Sequence, residues 1–178
     1  MIYQLSDDYY VRSLRESDLD GPYPGWFEDQ ELTNYNSHGK FFKNRAYFQA
    51  YIDSINNENH VVWAICHRDD GHIGNISLQA ISWINRHSDF GMLIGNKKHW
   101  SKGVGYLALR QLFQHGFDKL NLERIWCAVP EPNVGMCKLA LKIGMLEEGR
   151  RRAHMYFHGE WVDMLEFGIL KHEFDPKK

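Results

Sequence analysis

Twelve residues, Ile94-Gly95-Asn96-Lys97-Lys98-His99-Trp100-Ser101-Lys102-Gly103-Val104-Gly105, carry the clearest chemical signal in this chain. They lead from an apolar, strand-like segment into an amphipathic, helix-like one. A turn from Ser101 to Gly105 aims backbone N–H groups and the positive end of the following helix at one point, an arrangement that binds phosphate. Glycine suits the turn because a side chain would block close approach. Gly103-x-Gly105-x-x-Ala108 also matches a relaxed dinucleotide fingerprint, but in that fold the glycine turn follows its strand directly. Here eight residues separate Ile94 from Gly103, and the 73 residues after Gly105 do not repeat a βαβ pattern. A nicotinamide cofactor is therefore not expected. A plain glycine-rich helix cap stays open on these residues alone.

A second segment narrows the choice. Asn133-Val134-Gly135-Met136-Cys137-Lys138-Leu139-Ala140-Leu141-Lys142-Ile143-Gly144-Met145 reads as a short helix. Asn133 is its cap, Met136, Leu139, Ala140 and Ile143 form one apolar face, and Gly144 is its stop. Trp100-Ser-Lys-Gly-Val-Gly105 resembles the pyrophosphate loop Gln/Arg-x-x-Gly-x-Gly/Ala of the GNAT acyl-CoA-dependent N-acetyltransferases. Asn133 to Met145 resembles that family's Asn-x-x-Ser-x-x-x-Tyr-x-Lys-x-Gly-Phe segment. The resemblance covers about residues 9 to 170 and is nearest to the branch holding ribosomal-protein N-terminal, spermidine and amino-sugar acetyltransferases.

The resemblance implies acetyl-CoA as co-substrate, with Ser101, Lys102, Gly103, Val104 and Gly105 around its pyrophosphate. It implies that the strand before the loop splays from its neighbour, so that the pantetheine pairs with the exposed backbone of Met92, Leu93 and Ile94. Those N–H groups also polarise a thioester carbonyl. Asn133 matches the position whose side chain contacts the pantetheine, and Lys98, Lys102 or Lys138 are candidates for the remaining phosphates, a solvated role being equally open to each.

Acyl transfer to an ammonium also needs a base. Ser88-Asp89-Phe90-Gly91 stands where relatives carry a pattern like Ala-Glu-Ile-Gly, which makes Asp89 the candidate. Strand alternation puts Asp89 opposite Phe90 and Met92, with Gly91 leaving room beside it. Asp is one methylene shorter than Glu, so a bridging water is expected. A hydrogen-bonded strand Asp near a turn is the plainer reading. The match breaks at the acid: the family's Tyr falls on Ala140 and its Ser on Met136, and Cys137 replaces neither. A thiol pKa of roughly 8.5 lets a thiolate depart with little acid help.

For the acceptor, Trp26, Tyr35, Asn36 and His38 form an aromatic and polar group in a glycine-interrupted segment, suited to a sugar or nucleotide ring. Loop anchoring on the core is the alternative for the aromatic pair. With Glu147 to Arg152 and the Gly159 to Asp163 turn, this group resembles acetyltransferases found with surface-polysaccharide genes, which implies a nucleotide-linked amino sugar. A protein N-terminus or a polyamine is the alternative acceptor, Glu28, Asp29 and Glu31 being the carboxylates a polyamine would need. A non-catalytic acyl-CoA-binding module is the alternative of another class.

The elements that must position these groups read as one domain over residues 1–178, with 43% apolar residues for a single core. The N-terminus lacks a basic-then-apolar leader and no run approaches the ~20 apolar residues of a membrane span, so a cytoplasmic protein without membrane contact is expected, as monomer or homodimer. A net charge of −2 argues against a generally cationic nucleic-acid surface. Arg150-Arg151-Arg152 reads as a protected edge strand or as contacts to substrate phosphates. Cys66, Cys127 and Cys137 are odd in number and spaced apart, and the ten histidines lack metal-ligand spacing, so neither disulfides nor a metal is expected.

Strands are predicted at Tyr9 to Leu14, Val61 to Cys66, Gly74 to Ala80, Ser88 to Ile94 and Arg124 to Val129, with a tail hairpin turning at His158-Gly159. Helices are predicted from Ser17 onward with a break at Gly21 to Gly25, from Arg45 to Ile55, from Val104 to about Leu120, and from Asn133 to Ile143. The order βααβββαβαββ is α+β with a mixed, mostly antiparallel sheet flanked by helices, in agreement with the GNAT fold that the resemblance implies.

Overall fold

The computed structural model of the chain describes residues 1–55 and 58–177. Its strands are β1 (Ile2–Gln4), β2 (Tyr9–Ser13), β3 (Val61–His67), β4 (Gly71–Ser82), β5 (His87–Ile94), β6 (Arg124–Pro130), β7 (Leu146–Phe157) and β8 (Glu160–Leu170). The α-helices are α1 (Arg45–Ile55), α2 (Val104–Asp118) and α3 (Val134–Lys142). The strands form one sheet in the order β1-β2-β3-β4-β5-β6-β8-β7. Among the described residues only the β5–β6 pair is parallel, with α2 as its crossover. The expected mixed, mostly antiparallel sheet is therefore observed.

Two cores lie on opposite sheet faces, and β3 explains why. Its apolar run sends Trp63 and Ile65 to a core shared with α2, and Val62, Ala64 and Cys66 to a core shared with α1. A strand covered on both faces needs continuous rather than alternating apolarity. On α2, Val104, Ala108, Leu109, Leu112, Phe113 and Phe117 form the buried stripe.

Two expectations are corrected. The region from Ser17 forms no α-helix. Short 3₁₀ turns at Glu16–Asp20, Pro24–Phe27 and His38–Lys40 take its place, because Pro22 and Pro24 remove two backbone donors within three residues. The first of these turns is held by a buried ion pair: Asp18 accepts from Arg12 at 2.6 and 2.8 Å and from the Arg15 backbone N–H at 2.8 Å. Burial alone would raise the Asp18 carboxyl, but the Arg12 guanidinium and His72 hold it well below the usual carboxylate range. β1 was not legible, being a three-residue edge strand too short to show alternation.

Trp26 is the second correction. It is buried, packs edge-on against Tyr23 and His72, and belongs to the α1-side core rather than to an acceptor pocket. Its indole occupies the space a side chain at Gly95 would need: a Cβ there would lie 2.0 Å from Trp26 Cδ2. Gly95→Ala is therefore expected to cost about 3 kcal/mol or more through overpacking. A chemical denaturation midpoint equal to wild type would refute that fit.

Arg150 and Arg151 lie on the edge strand β7 and are already paired. Arg150 meets Glu131 at 2.9 Å and Asp163 at 3.0 Å, and Arg151 pairs with Glu166. The edge-strand reading holds for them, and the phosphate reading loses these two cations. No helix among the described residues is long and apolar enough to cross a membrane.

Candidate active site

The site begins where two strands part. β5 and β6 pair over His87–Arg124, Ser88–Ile125 and Asp89–Trp126 and then diverge. Beyond Asp89, β5 keeps β4 on one side up to Ile94, while β6 continues along β8 to Pro130. A bulge in β4 between Gln79 and Ser82, with Ala80 at φ 47°, bends the β4–β5 pair at this level. Met92, Leu93 and Ile94 are only half-buried on the open side. The Ile94 carbonyl accepts from Trp100 Nε1 at 2.9 Å, which ties the loop to the strand end and leaves Met92 and Leu93 as the freer backbone.

The loop from Ser101 takes the expected strained path. Ser101 has φ 59°, and Gly103, at φ 81°, stands at the N-cap of α2 with no side chain capping the helix. Nothing lies within 4 Å of where a Gly103 side chain would project, so the cradle is open. Val104 buries its side chain and presents backbone alone, whereas Ser101 and Lys102 are exposed. A Cβ on Gly105 would touch Met92 Cε at 3.2 Å and Leu139 Cδ2 at 3.5 Å, so the start of α2, β5 and α3 converge at the split.

The remaining candidates divide. Lys98 is ion-paired to Asp70 at 2.9 Å, away from the role expected of it. Lys138 is exposed on α3. The Asn133 side-chain oxygen accepts from the Met136 N–H at 3.2 Å and caps α3, so only its NH₂ remains to meet a ligand. Ala140 is fully buried, so no hydroxyl stands at the customary acid position. Burial pushes the Cys127 thiol up to about 12 and raises Cys137 as well, which makes both poor nucleophiles.

On the other sheet face, a cavity of about 250 Å³ lies between α1, the 3₁₀ segment and the β4–β5 pair. Tyr23, Phe27, Tyr47, Phe48 and Tyr51 make its aromatic wall. Ser77, Gln79 and Gly91 make part of its floor, where the Gln79 Nε2 donates to Ser77 Oγ at 2.7 Å. Asn36, His38 and Lys43 complete it on the solvent side. Of the four acceptor candidates, Asn36 and His38 line this cavity, while Tyr35 stacks on Phe157 of the tail hairpin, with ring centroids 5.4 Å apart. No Asp or Glu is among the described lining residues. Asp29 and Glu31 are both taken by Lys97, at 2.8 and 2.6 Å.

Asp89 stands between the two regions. It precedes Gly91 on the same face of β5, about 7 Å along the strand, and faces Gln79 in register. The carboxylate is half-buried, and its Oδ1 has no hydrogen-bond partner among the described residues. Burial raises its pKa, partly offset by a backbone hydrogen bond and by His60. A half-buried, perturbed carboxylate with one oxygen unpartnered among the described residues, next to a cavity-lining strand segment, marks a functional candidate.

Tertiary folding also gathers His67, Asp70 and His99, whose ligand atoms lie within 4.8 Å of one another although their spacing showed nothing. Most of their polar atoms are engaged: His99 bridges Asp70 and Tyr9 at 2.9 Å each, His67 Nδ1 accepts from the Asp69 and Asp70 amides, and Lys98 covers Asp70.

The family profile described as acetyltransferase (GNAT) domain matches residues 9–146. The chain belongs to the GNAT family of acetyl-CoA-dependent N-acetyltransferases. Among GNAT relatives, it is 32% identical over 105 residues to YdaF of Bacillus subtilis (strain 168), provisionally named a ribosomal N-acetyltransferase, a match over 59% of this chain and 57% of that protein. It is 28% identical over 168 residues to an uncharacterized N-acetyltransferase, p20, of Bacillus licheniformis, covering 92% of this chain and 93% of p20. The Vibrio cholerae spermidine N-acetyltransferase crystallised with CoA and spermine superposes with a TM-score of 0.84 at 20% identity, over 94% of this chain and 98% of that one, which speaks for a GNAT fold.

Proposed function

We propose that this GNAT protein transfers the acetyl group of acetyl-CoA to the primary amine of an amino sugar, nucleotide-linked in its natural form, with Asp89 as general base. One observation carries the reading. The β5–β6 split opens immediately after Asp89, and the aromatic cavity flanks the same β5 segment. A thioester laid along Met92 and Leu93 and an amine held in the cavity then meet beside this carboxylate. The residues around the split fit the co-substrate: Ser101 to Gly105 form an open, uncapped helix start for a pyrophosphate, with Lys102 exposed on it.

Asp89, through a water, takes the proton of the ammonium, and the nitrogen lone pair attacks the acyl carbon. Backbone N–H groups of β5 stabilise the charge developing on the acyl oxygen. The C–S bond breaks as the C–N bond forms, the nitrogen releases its second proton to solvent, and the thiolate takes up a proton from solvent. Direct transfer agrees with the suppressed cysteines.

The cavity argues against a polyamine. A polycation needs several carboxylates, and the described lining residues include a lysine and no Asp or Glu. An aromatic wall with amide and hydroxyl groups opposite it suits a sugar ring. A peptide N-terminus or a polyamine is retained as the alternative acceptor, because relatives are named for ribosomal and for spermidine acetylation. Mass spectrometry of products from acetyl-CoA with UDP-linked amino sugars, spermidine and Ala- or Ser-initiated peptides separates the readings. Acetylated amino sugar is the expected result. Efficient peptide acetylation with no sugar product would transfer the assignment, and no CoA release with any amine would leave an acyl-CoA-binding module.

A further inference from the structure

Among three neighbouring cavity residues, Asn36 and His38 spend a side-chain acceptor atom inside the group, and Lys43 has none. The Asn36 side-chain oxygen accepts from the His38 backbone N–H at 2.8 Å, which leaves its NH₂ as a donor. His38 Nδ1 lies 3.3 Å from Lys43 Nζ. An ammonium can only donate, so Nδ1 accepts and the ring proton resides on Nε2, a second donor. Lys43 itself is held 4.8 Å from the ring centroids of both Phe27 and Tyr47. Aromatic faces steady a cation without neutralising it. Lys97 and Lys98 are each tied to carboxylates, whereas among the described residues no carboxylate lines the cavity that Lys43 faces.

We infer that Asn36, His38 and Lys43 form an anion subsite on the solvent side of the acceptor cavity, so that the acceptor carries a phosphate or carboxylate in addition to its reactive amine. The inference rests on the reading that this cavity receives the amine. Three neighbouring donor groups, one with a full charge, and no carboxylate among the described lining residues make an anion site. Asp89, on the far side of Gly91, is then left to meet the ammonium, so the cavity orients a substrate that is cationic at one end and anionic at the other.

Steady-state kinetics with glucosamine, glucosamine 6-phosphate and glucosaminate test this in wild type, Lys43→Met and Lys43→Arg. Methionine keeps the aliphatic packing while removing the charge. In wild type, one or both anionic sugars should show a KM at least tenfold below that of glucosamine, and which one does identifies the anion. Lys43→Met should bring the KM ratio close to one, and Lys43→Arg should restore most of it. Equal KM values in wild type, or a preference that survives Lys43→Met, overturn the subsite. Calorimetric titration of glucosamine 6-phosphate into protein saturated with CoA separates the two levels of the argument. Lys43-dependent binding without turnover would keep the subsite and remove the proposed reaction. Turnover of uncharged amines without Lys43-dependent binding would do the reverse.

Discussion

Asp89→Asn is expected to lower kcat for the amine acceptor about 10²-fold or more, since general-base assistance is typically worth about 10²–10⁴-fold. The KM for acetyl-CoA should change by no more than about threefold, because the carboxylate acts on the amine and not on the bound thioester. The pH profile carries the same signature. Burial raises the Asp89 pKa, so the wild-type rate should climb with pH through a value above that of an ordinary aspartate. The variant should lack this acid limb and recover part of its activity at high pH, where free amine accumulates.

Stability should move the other way. A carboxyl whose folded pKa lies above its unfolded one favours the native state fully below the unfolded pKa, and that contribution is lost as pH rises through the folded value. At neutral pH the ionised Asp89 therefore opposes folding, with Oδ1 buried and unpartnered. Asn carries no charge, so Asp89→Asn should raise the melting temperature at pH 7, with the gain shrinking in acid. A variant equally active and equally stable would remove Asp89 from the mechanism.

The second large effect is at Gly103. Gly103→Glu should weaken acetyl-CoA binding at least tenfold in calorimetric titration, because it sets a negative charge at the helix start proposed to hold the pyrophosphate. The backbone contributes separately: at φ 81° any L residue is strained, by roughly 1–2 kcal/mol. Gly103→Ala controls for this, since the space around the new Cβ is empty and the strain is shared without the charge. The charge accounts for the loss if the alanine variant binds within about threefold of wild type, a difference below about 0.7 kcal/mol. Unchanged affinity in Gly103→Glu would displace the co-substrate from this loop.

Much was determined by local patterning in the sequence. The apolar run of β3, the stripe of α2, the helix from Arg45, the turn at His158-Gly159 and the glycine loop into α2 all rest on periodicities and turn chemistry that act within a few residues. They sufficed for an α+β chain with a mostly antiparallel sheet, and for placing Ser101 to Gly105 at a helix start. The position of Asp89 on the face opposite Phe90 followed from alternation alone.

Tertiary structure decided which polar groups were already spoken for. Lys98 and Asp70, Lys97 with Asp29 and Glu31, and Arg151 with Glu166 are pairings between residues 15 to 68 positions apart, and no local pattern announces them. The same holds for Trp26, whose aromatic, amphipathic character fits a binding wall and a core equally well until Gly95 is seen lying against its ring. Lys43 escaped notice because a lysine is ordinarily solvated. Its meaning depends on two aromatic faces and a histidine nitrogen brought around it, and on the absence of carboxylates among the described lining residues. Sequence spacing fixes what a strand or helix presents on each face, but the burial and neutralisation of a charge are set by the groups that arrive from elsewhere in the chain.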